Sequence, residues 1–490
     1  MTNDEKYTSK ILNICKAVIS LALLIIFSIM RNPDSDIYWM IETGKWIYKH
    51  KTVPFTNPWT ITENLSVIVQ QPLCALLNYG FSSLLGISNL WILAFIEEII
   101  LLSVCLYVVF ANQKDNSYTV SICTFVLVSS VLLVCCGMVT TRPYLLTTTN
   151  MIIFIFALQS YLKNKSFVQI CVLTAIVTLF QTNYQMASLI AIPLFLSCFF
   201  VGYLTEAFIE KVPFEINTIA KWILLYVEVA IVSLINPYGL NGATYLLKSK
   251  DAINLLKDKI LETNKPTILS ISFVMIVVTS CIAFTLIRKK RLPTPAIYLW
   301  IGSCIATAMT NRNIWMCFIS FIFLVADTKF TRLPYQSIMS KISLRFKRMF
   351  CSIFAITVVV TGFVYVASYK NTDSLEELFS LIRKIPEDES IYTTFNTGGY
   401  VEYLGRKCYI DARPELYSTA ITEGKDVLKE WYDLEYNNKT DIREFIATND
   451  FDYYLVTNSS TLYTYFKYSD NSLLWSNNEM SLYQIYGRNI

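Results

Sequence analysis

The chain has 490 residues, 54% apolar and only 16% charged. Soluble domains carry about 25% charged residues, so most of this chain is expected to sit outside water. Residues 370–490 hold 20 of the 37 acids and 12 of the 41 bases, a net −8, which leaves residues 1–369 at +12. A single histidine, His50, argues against His-built zinc sites, haem ligation and Ser-His-Asp chemistry. The 13 cysteines are spread mainly through apolar runs with no CxxC pair, which argues against a disulfide framework or a metal knuckle.

Apolar runs of the kind that cross a bilayer, about 20 residues each, stand near 12–30, 88–111, 118–138, 145–163, 167–183, 186–204, 220–236, 268–287, 294–309, 312–327 and 349–368. They predict an all-α integral membrane bundle of about eleven spans. The first run follows a polar start and lacks a small-residue cleavage site, so it reads as a retained anchor. Residues 72–86 are apolar but short and Gly-punctuated, and predict a helix lying along the interface. Short basic loops set the orientation: Lys6, Lys10, Lys114, Lys163, Lys165, Lys211, Arg288–Arg291 and the cluster from Lys329 to Arg348 all fall on one side if the count is odd and the start is cytoplasmic. The expectation is a multi-pass cell-membrane protein, with residues 1–369 as membrane body and 31–87 as a long first external loop.

From about residue 371 the pattern turns to a soluble α/β rhythm, and 370–490 is expected to be an extracytoplasmic domain. SLEELFSLIRKI (374–385) reads as a helix with acids in its first turn. SIYTTF (390–395), KCYIDA (407–412), YYLVT (453–457) and MSLYQIYG (480–487) read as strands, and DVLKEWYDL and DIREFIAT as helices. Neither GxGxxG nor GxxxxGK[ST] occurs, so no nucleotide site is indicated and no nucleic-acid partner is expected. Gly398-Gly399 is a turn signal.

The outward connections gather the residues able to do chemistry. Asp34 and Asp36 directly follow the first span. Two such carboxylates suit a hard cation, a general base for an acceptor hydroxyl, or an N-cap on the amphipathic stretch that follows. Arg142 and Arg312 sit at span mouths, where arginine either clamps a lipid phosphate or snorkels to headgroups. Glu97, Glu98 and Glu228 fall within spans and read as a proton relay or as protonated interhelical groups.

The motif D-I-Y-W-M-I-E-T-G-K-W-I (36–47), then V-P-F-T-N-P-W-T (53–60), resembles the first external loop of bacterial polytopic proteins of the GT-C glycosyltransferase superfamily. In the same order come T-R-P-Y (141–144), T-N-Y-Q (182–185), N-P-Y-G (236–239), N-R-N (311–313), F-N-T-G-G-Y (395–400) and Y-I-D-A-R-P-E-L-Y (409–417). The resemblance implies a polyprenyl-phosphate sugar donor, a catalytic carboxylate at Asp36 with Asp34 beside it, and phosphate-binding arginines at Arg142 and Arg312. It implies a cleft lined by Asn183, Gln185, Asn236 and Gln71, capped by Asn396, Tyr400, Asp411 and Arg413. Several ionisable positions of the group are neutral here: Met40, Gln70-Gln71, Gln185 and Asn57. No cofactor or metal-ligand set follows, although a divalent cation on the acid pair stays open. The expected function is sugar transfer to an external acceptor. A transporter or flippase for a lipid-linked precursor, and a non-catalytic lipid-glycan binder, are the alternatives.

Overall fold

The computed structural model describes residues 3–31, 33–112, 122–164, 166–211, 216–257, 259–260, 264–288, 292–326, 372–419, 426–437, 439–469 and 472–485. The expected span at 349–368 and the basic cluster at 329–348 lie outside these residues.

Ten expected spans fall on observed helices: α1 (Asn3–Arg31), α4 (Trp91–Asn112), α5 (Ile122–Cys135), α6 (Tyr144–Asn164), α7 (Phe167–Tyr184), α8 (Ala191–Glu210), α9 (Ile216–Ser233), α10 (Ile271–Arg288), α11 (Thr294–Met309) and α12 (Ile314–Ala326). Among the described residues, seven helical stretches are long and apolar enough to cross a membrane. By contrast α5, α11 and α12 are shorter; the 14 residues of α5 span about 21 Å at 1.5 Å per residue. Trp222, Phe154, Phe195, Phe318 and Phe323 are fully buried where the helices meet. Leu84, Phe208 and Leu269 face outward, as lipid contact allows. The chain is a multi-pass membrane protein.

Between α1 and α4 come two further helices, α2 (Ser35–His50) and α3 (Pro72–Leu85). Asp34 caps α2, its carboxylate accepting the Asp36 N–H at 3.0 Å, and Lys51 closes it in the left-handed region at φ 57°. The two helices cross closely because position 44 is glycine: a Cβ there would stand 2.1 Å from the Ala75 carbonyl oxygen. His50 ends α2 exposed and stacked on Trp46. After α9, three short helical turns (Leu240–Ala243, Tyr245–Lys248, Lys250–Leu256) run at the end of the bundle where α2 lies.

The C-terminal region is α/β. Helix α13 (Thr372–Ile382) precedes β1 (Ile391–Thr393), then come α14 (Gly398–Tyr403), α15 (Val427–Glu435), α16 (Ile442–Asn449), β2 (Tyr453–Thr457), α17 (Thr461–Lys467), β3 (Ser472–Ser476) and β4 (Met480–Gln484). The sheet order is β1-β2-β4-β3, with β1 parallel to β2 and the other pairs antiparallel. Two readings change. Ser472–Ser476 forms a hairpin strand with β4, an element missing from the sequence pattern. Conversely, 407–412 is no strand. Thr393 Oγ1 takes the N–H groups of Tyr409 and Ile410 and donates to the Ile410 carbonyl, and Cys408 makes only a one-residue bridge with Thr60 of the first loop.

That bridge belongs to a wider union. Trp59, Val67, Met186, Tyr245, Tyr409, Tyr417 and Trp431 share one apolar core, so the first loop, the 240–256 turns and the C-terminal region pack as a unit. Gly398 and Gly399 open α14 and let it approach closely, since Cβ atoms there would stand 2.2 Å from the Ile410 oxygen and 3.2 Å from the Ser35 oxygen.

Candidate functional site

A cavity of about 1010 Å³ lies where the start of α2, the turns before α6 and α12, the α7–α8 junction, the 245–260 segment and the C-terminal region meet. Its wall includes Asp36, Gln71, Arg142, Gln185, Arg312 and Asn396, six of the residues singled out from sequence. Four cations (Arg142, Lys257, Lys259, Arg312) face two carboxyl groups (Asp36, Glu415) among the described lining residues, a balance that favours an anionic occupant.

The turn ahead of α6 aims Arg142 at the α2 cap. Its Nε donates to Asp34 Oδ2 at 2.7 Å and its Nη2 reaches Asp36 Oδ2 at 3.0 Å. One guanidinium thus bridges the two carboxylates, each about a fifth exposed. Asp34 is a cap and an ion-pair partner together, while Asp36 also borders the cavity. A divalent cation does not fit this pair as arranged, because a cation already joins it.

Across the cavity stands Glu415, which takes the Tyr245 hydroxyl hydrogen bond and a 3.4 Å contact from Gln70 Nε2. Burial pushes its carboxyl above the ordinary range, partly offset by the Tyr245 hydroxyl. Beside it, Asp411 and Arg413 are buried and do not line the cavity. The Arg413 Nη2 holds both Glu402 oxygens at 2.7 Å and Asp411 Oδ2, and Tyr417 donates to Asp411 at 2.7 Å. The guanidinium lies over Trp39 and Trp59 at 4.7 and 5.0 Å. Burial pushes Glu402 well above the carboxylate range despite Arg413. The same burial would raise Asp411, but Arg413 and the Glu402 and Tyr417 hydrogen bonds hold it below its ordinary value. Arg413 is thus shared by two buried carboxyl groups that are pushed in opposite directions, Asp411 down and Glu402 up. Glu402, Cys408 and Asp411 lie close enough to hold a metal ion, yet Arg413 already occupies their oxygens, so the set does not fit one.

Three more sequence-derived candidates stand away from the cavity. The Asn183 amide donates to the Leu179 and Ile235 carbonyls. Asn236 locks its own turn, accepting from the Tyr238 N–H and donating to the Ser233 and Gly239 carbonyls. Tyr400 packs its ring on Tyr38 and Phe379. Within the bundle, Glu98 receives Ser28 at 3.2 Å and Glu97 faces the Tyr184 hydroxyl at 3.5 Å, whereas Glu228 sits on α9. Reading the sequence missed Glu415, Tyr245, Lys257 and Lys259. Only Glu415 carried a signal there, two residues after Arg413 in the same motif.

No known protein-family profile matches the chain, and no curated protein sequence does. Solved structures do resemble it. The oligosaccharyltransferase of Archaeoglobus fulgidus in the apo form superposes with a TM-score of 0.54 at 11% identity, over 90% of this chain and 69% of that one. A second structure of that enzyme, tethered to an acceptor peptide containing the NVT sequon, gives 0.54 at 10% identity, over 90% and 68%. ArnT from Cupriavidus metallidurans bound to undecaprenyl phosphate gives 0.52 at 10% identity, over 96% and 97%. At such identities the likeness concerns architecture alone: the chain has a fold similar to that of these two membrane enzymes.

Proposed function

We propose that the chain is a membrane glycosyltransferase that moves a sugar from a polyprenyl-phosphate-linked donor to an extracytoplasmic acceptor, a cell-envelope glycan, lipid or protein. Residues 1–369 form its membrane body, and 370–490 form an α/β domain that closes the cavity from the outer side. The observation that carries this reading is the meeting of Asp36, Arg142 and Arg312, from three distant parts of the chain, around one cavity. The fold supports it, as does the undecaprenyl phosphate bound to the similar ArnT structure.

The chemistry assigns each group a task. The Asp36 carboxylate accepts the proton of an acceptor hydroxyl. The acceptor oxygen bonds to the anomeric carbon as the bond to the phosphate oxygen breaks, and the departing charge falls to Arg312. Arg142 holds Asp34 and Asp36 in place, and the cavity aligns the two substrates. A second reading, a protein that binds the lipid-linked glycan without turnover, is favoured by the neutral Met40, Gln71 and Gln185 in the wall.

One experiment separates the two. The full-length protein in nanodiscs is given a short-chain polyprenyl-phosphate sugar and envelope extract, and polyprenyl phosphate release is followed. Asp36→Asn should lower release about 10²- to 10⁴-fold with unchanged melting. Full release in that variant overturns the catalytic role, and donor binding without release in the wild type selects the binding protein.

A further inference from the structure

A second pocket, about 310 Å³, adjoins the cavity. Arg31, the last residue of α1, borders it on one side and Arg312 on another; Tyr144, Arg312 and Trp315 belong to both spaces. The Arg31 guanidinium passes over Gly137, where a Cβ would meet it at 3.0 Å and where the backbone sits at φ 71°. The rest of the wall is largely apolar: Met138, Ile271 and Ile314. Just outside, Ile268 and Leu269 are 77% and 95% exposed, and Ile271 of the wall is 45% exposed, a strip that suits contact with hydrocarbon. Two guanidinium groups on a mostly apolar pocket beside a hydrocarbon-facing strip match a phosphate monoester carried on a long apolar chain. The volume lies at the lower end of small-molecule sites.

We infer that this pocket is a second lipid-phosphate site, separate from the reaction cavity, in which Arg31 and Arg312 hold a polyprenyl phosphate while its chain leaves past residues 268–271. It rests on the lipid-phosphate reading above. Arg312 stands on the boundary, so a carrier in this pocket is one contact from the cavity. The pocket serves as the place where a spent carrier waits or an incoming one docks.

The test is binding stoichiometry on the full-length protein in detergent, with a short-chain polyprenyl monophosphate as probe and native mass spectrometry as readout. The wild type should take two equivalents. Arg31→Gln should take one, its second affinity falling about tenfold or more, and Arg31→Lys should restore part of it. If wild type and Arg31→Gln each take one, the second site does not exist while the lipid-phosphate reading stands. If the wild type takes none, both fall. If Arg31→Gln takes none with unchanged melting, the two spaces are not separate and the inference is overturned. Inorganic phosphate should not fill the second site; equal occupancy by it, or displacement of the probe by phosphatidylglycerol, overturns the polyprenyl assignment. Should Arg31→Gln unfold the protein, Gly137→Ala, which crowds Arg31, carries the same expectation.

Discussion

Replacing Arg413 by methionine tests whether the C-terminal region is fastened to α2 by a buried charge. The Arg413 side chain is 5% exposed and those of Glu402 and Asp411 are wholly buried. Arg413 also lies between Trp39 of α2 and Trp59 of the first loop. Removing one member of such a pair leaves an uncompensated buried carboxylate and costs about 3–5 kcal/mol. Methionine keeps much of the apolar packing, so the loss falls on Glu402 and on Asp411, the latter left with the Tyr417 hydroxyl and the backbone N–H of residue 413. Adding Asp411→Asn removes the stranded charge, and replacing a whole buried ion pair with neutral groups is often close to neutral. The double variant should therefore recover at least about half of the lost stability. The assay is thermal unfolding in nanodiscs, paired with limited proteolysis beyond residue 372. A single variant as stable as wild type, or a double variant no better than the single one, refutes the reasoning.

Glu402→Gln addresses the same cluster through pH. The Glu402 carboxyl is raised on folding, so its contribution is full below its unfolded value and is lost as pH rises through the folded one. Wild-type stability should fall as pH rises from the unfolded carboxyl value toward the raised folded one, by at most about 1.4 kcal/mol per pH unit from this group, and the variant should show a shallower fall. An identical slope in both counts against a raised Glu402 carboxyl. Gly44→Ala puts a Cβ against the Ala75 carbonyl, which should cost about 1–3 kcal/mol; a melting temperature equal to wild type would show that α2 and α3 can separate freely. Cysteine at Tyr468, which is 82% exposed, should react with a membrane-impermeant maleimide on intact cells, and reaction only after permeabilisation would place the α/β region in the cytosol.

How far the sequence could be read depended on what each residue's task requires. Long apolar runs announce helices because bilayer crossing needs nothing else, and ten of the expected spans lie on observed helices. Asp36, Arg142 and Arg312 were recognisable from ordered motifs, and they do border one cavity. The pairing of Arg142 with both aspartates was not legible, since Arg142 stands 108 positions from Asp34 and its pairing with Asp36 is nearly as distant in the chain. The places of Asn183 and Asn236 were not legible, because a motif asparagine that locks a turn looks like one that meets a ligand. Nor was the burial of Arg413, which the Trp39–Trp59 packing puts inside. KCYIDA has the composition of a strand, yet Thr393 occupies the backbone groups that a neighbouring strand would need.

The far wall of the cavity, with Phe395, Asn396 and Glu415, is the last part to be made. A ribosome adding about 5–20 residues per second takes roughly 20–70 s to go from Asp36 to that wall. Throughout that interval Trp39 and the acid end of α2 lack the wall that Phe395, Asn396 and Glu415 supply, so a nascent chain arrested before residue 395 has no enclosed cavity.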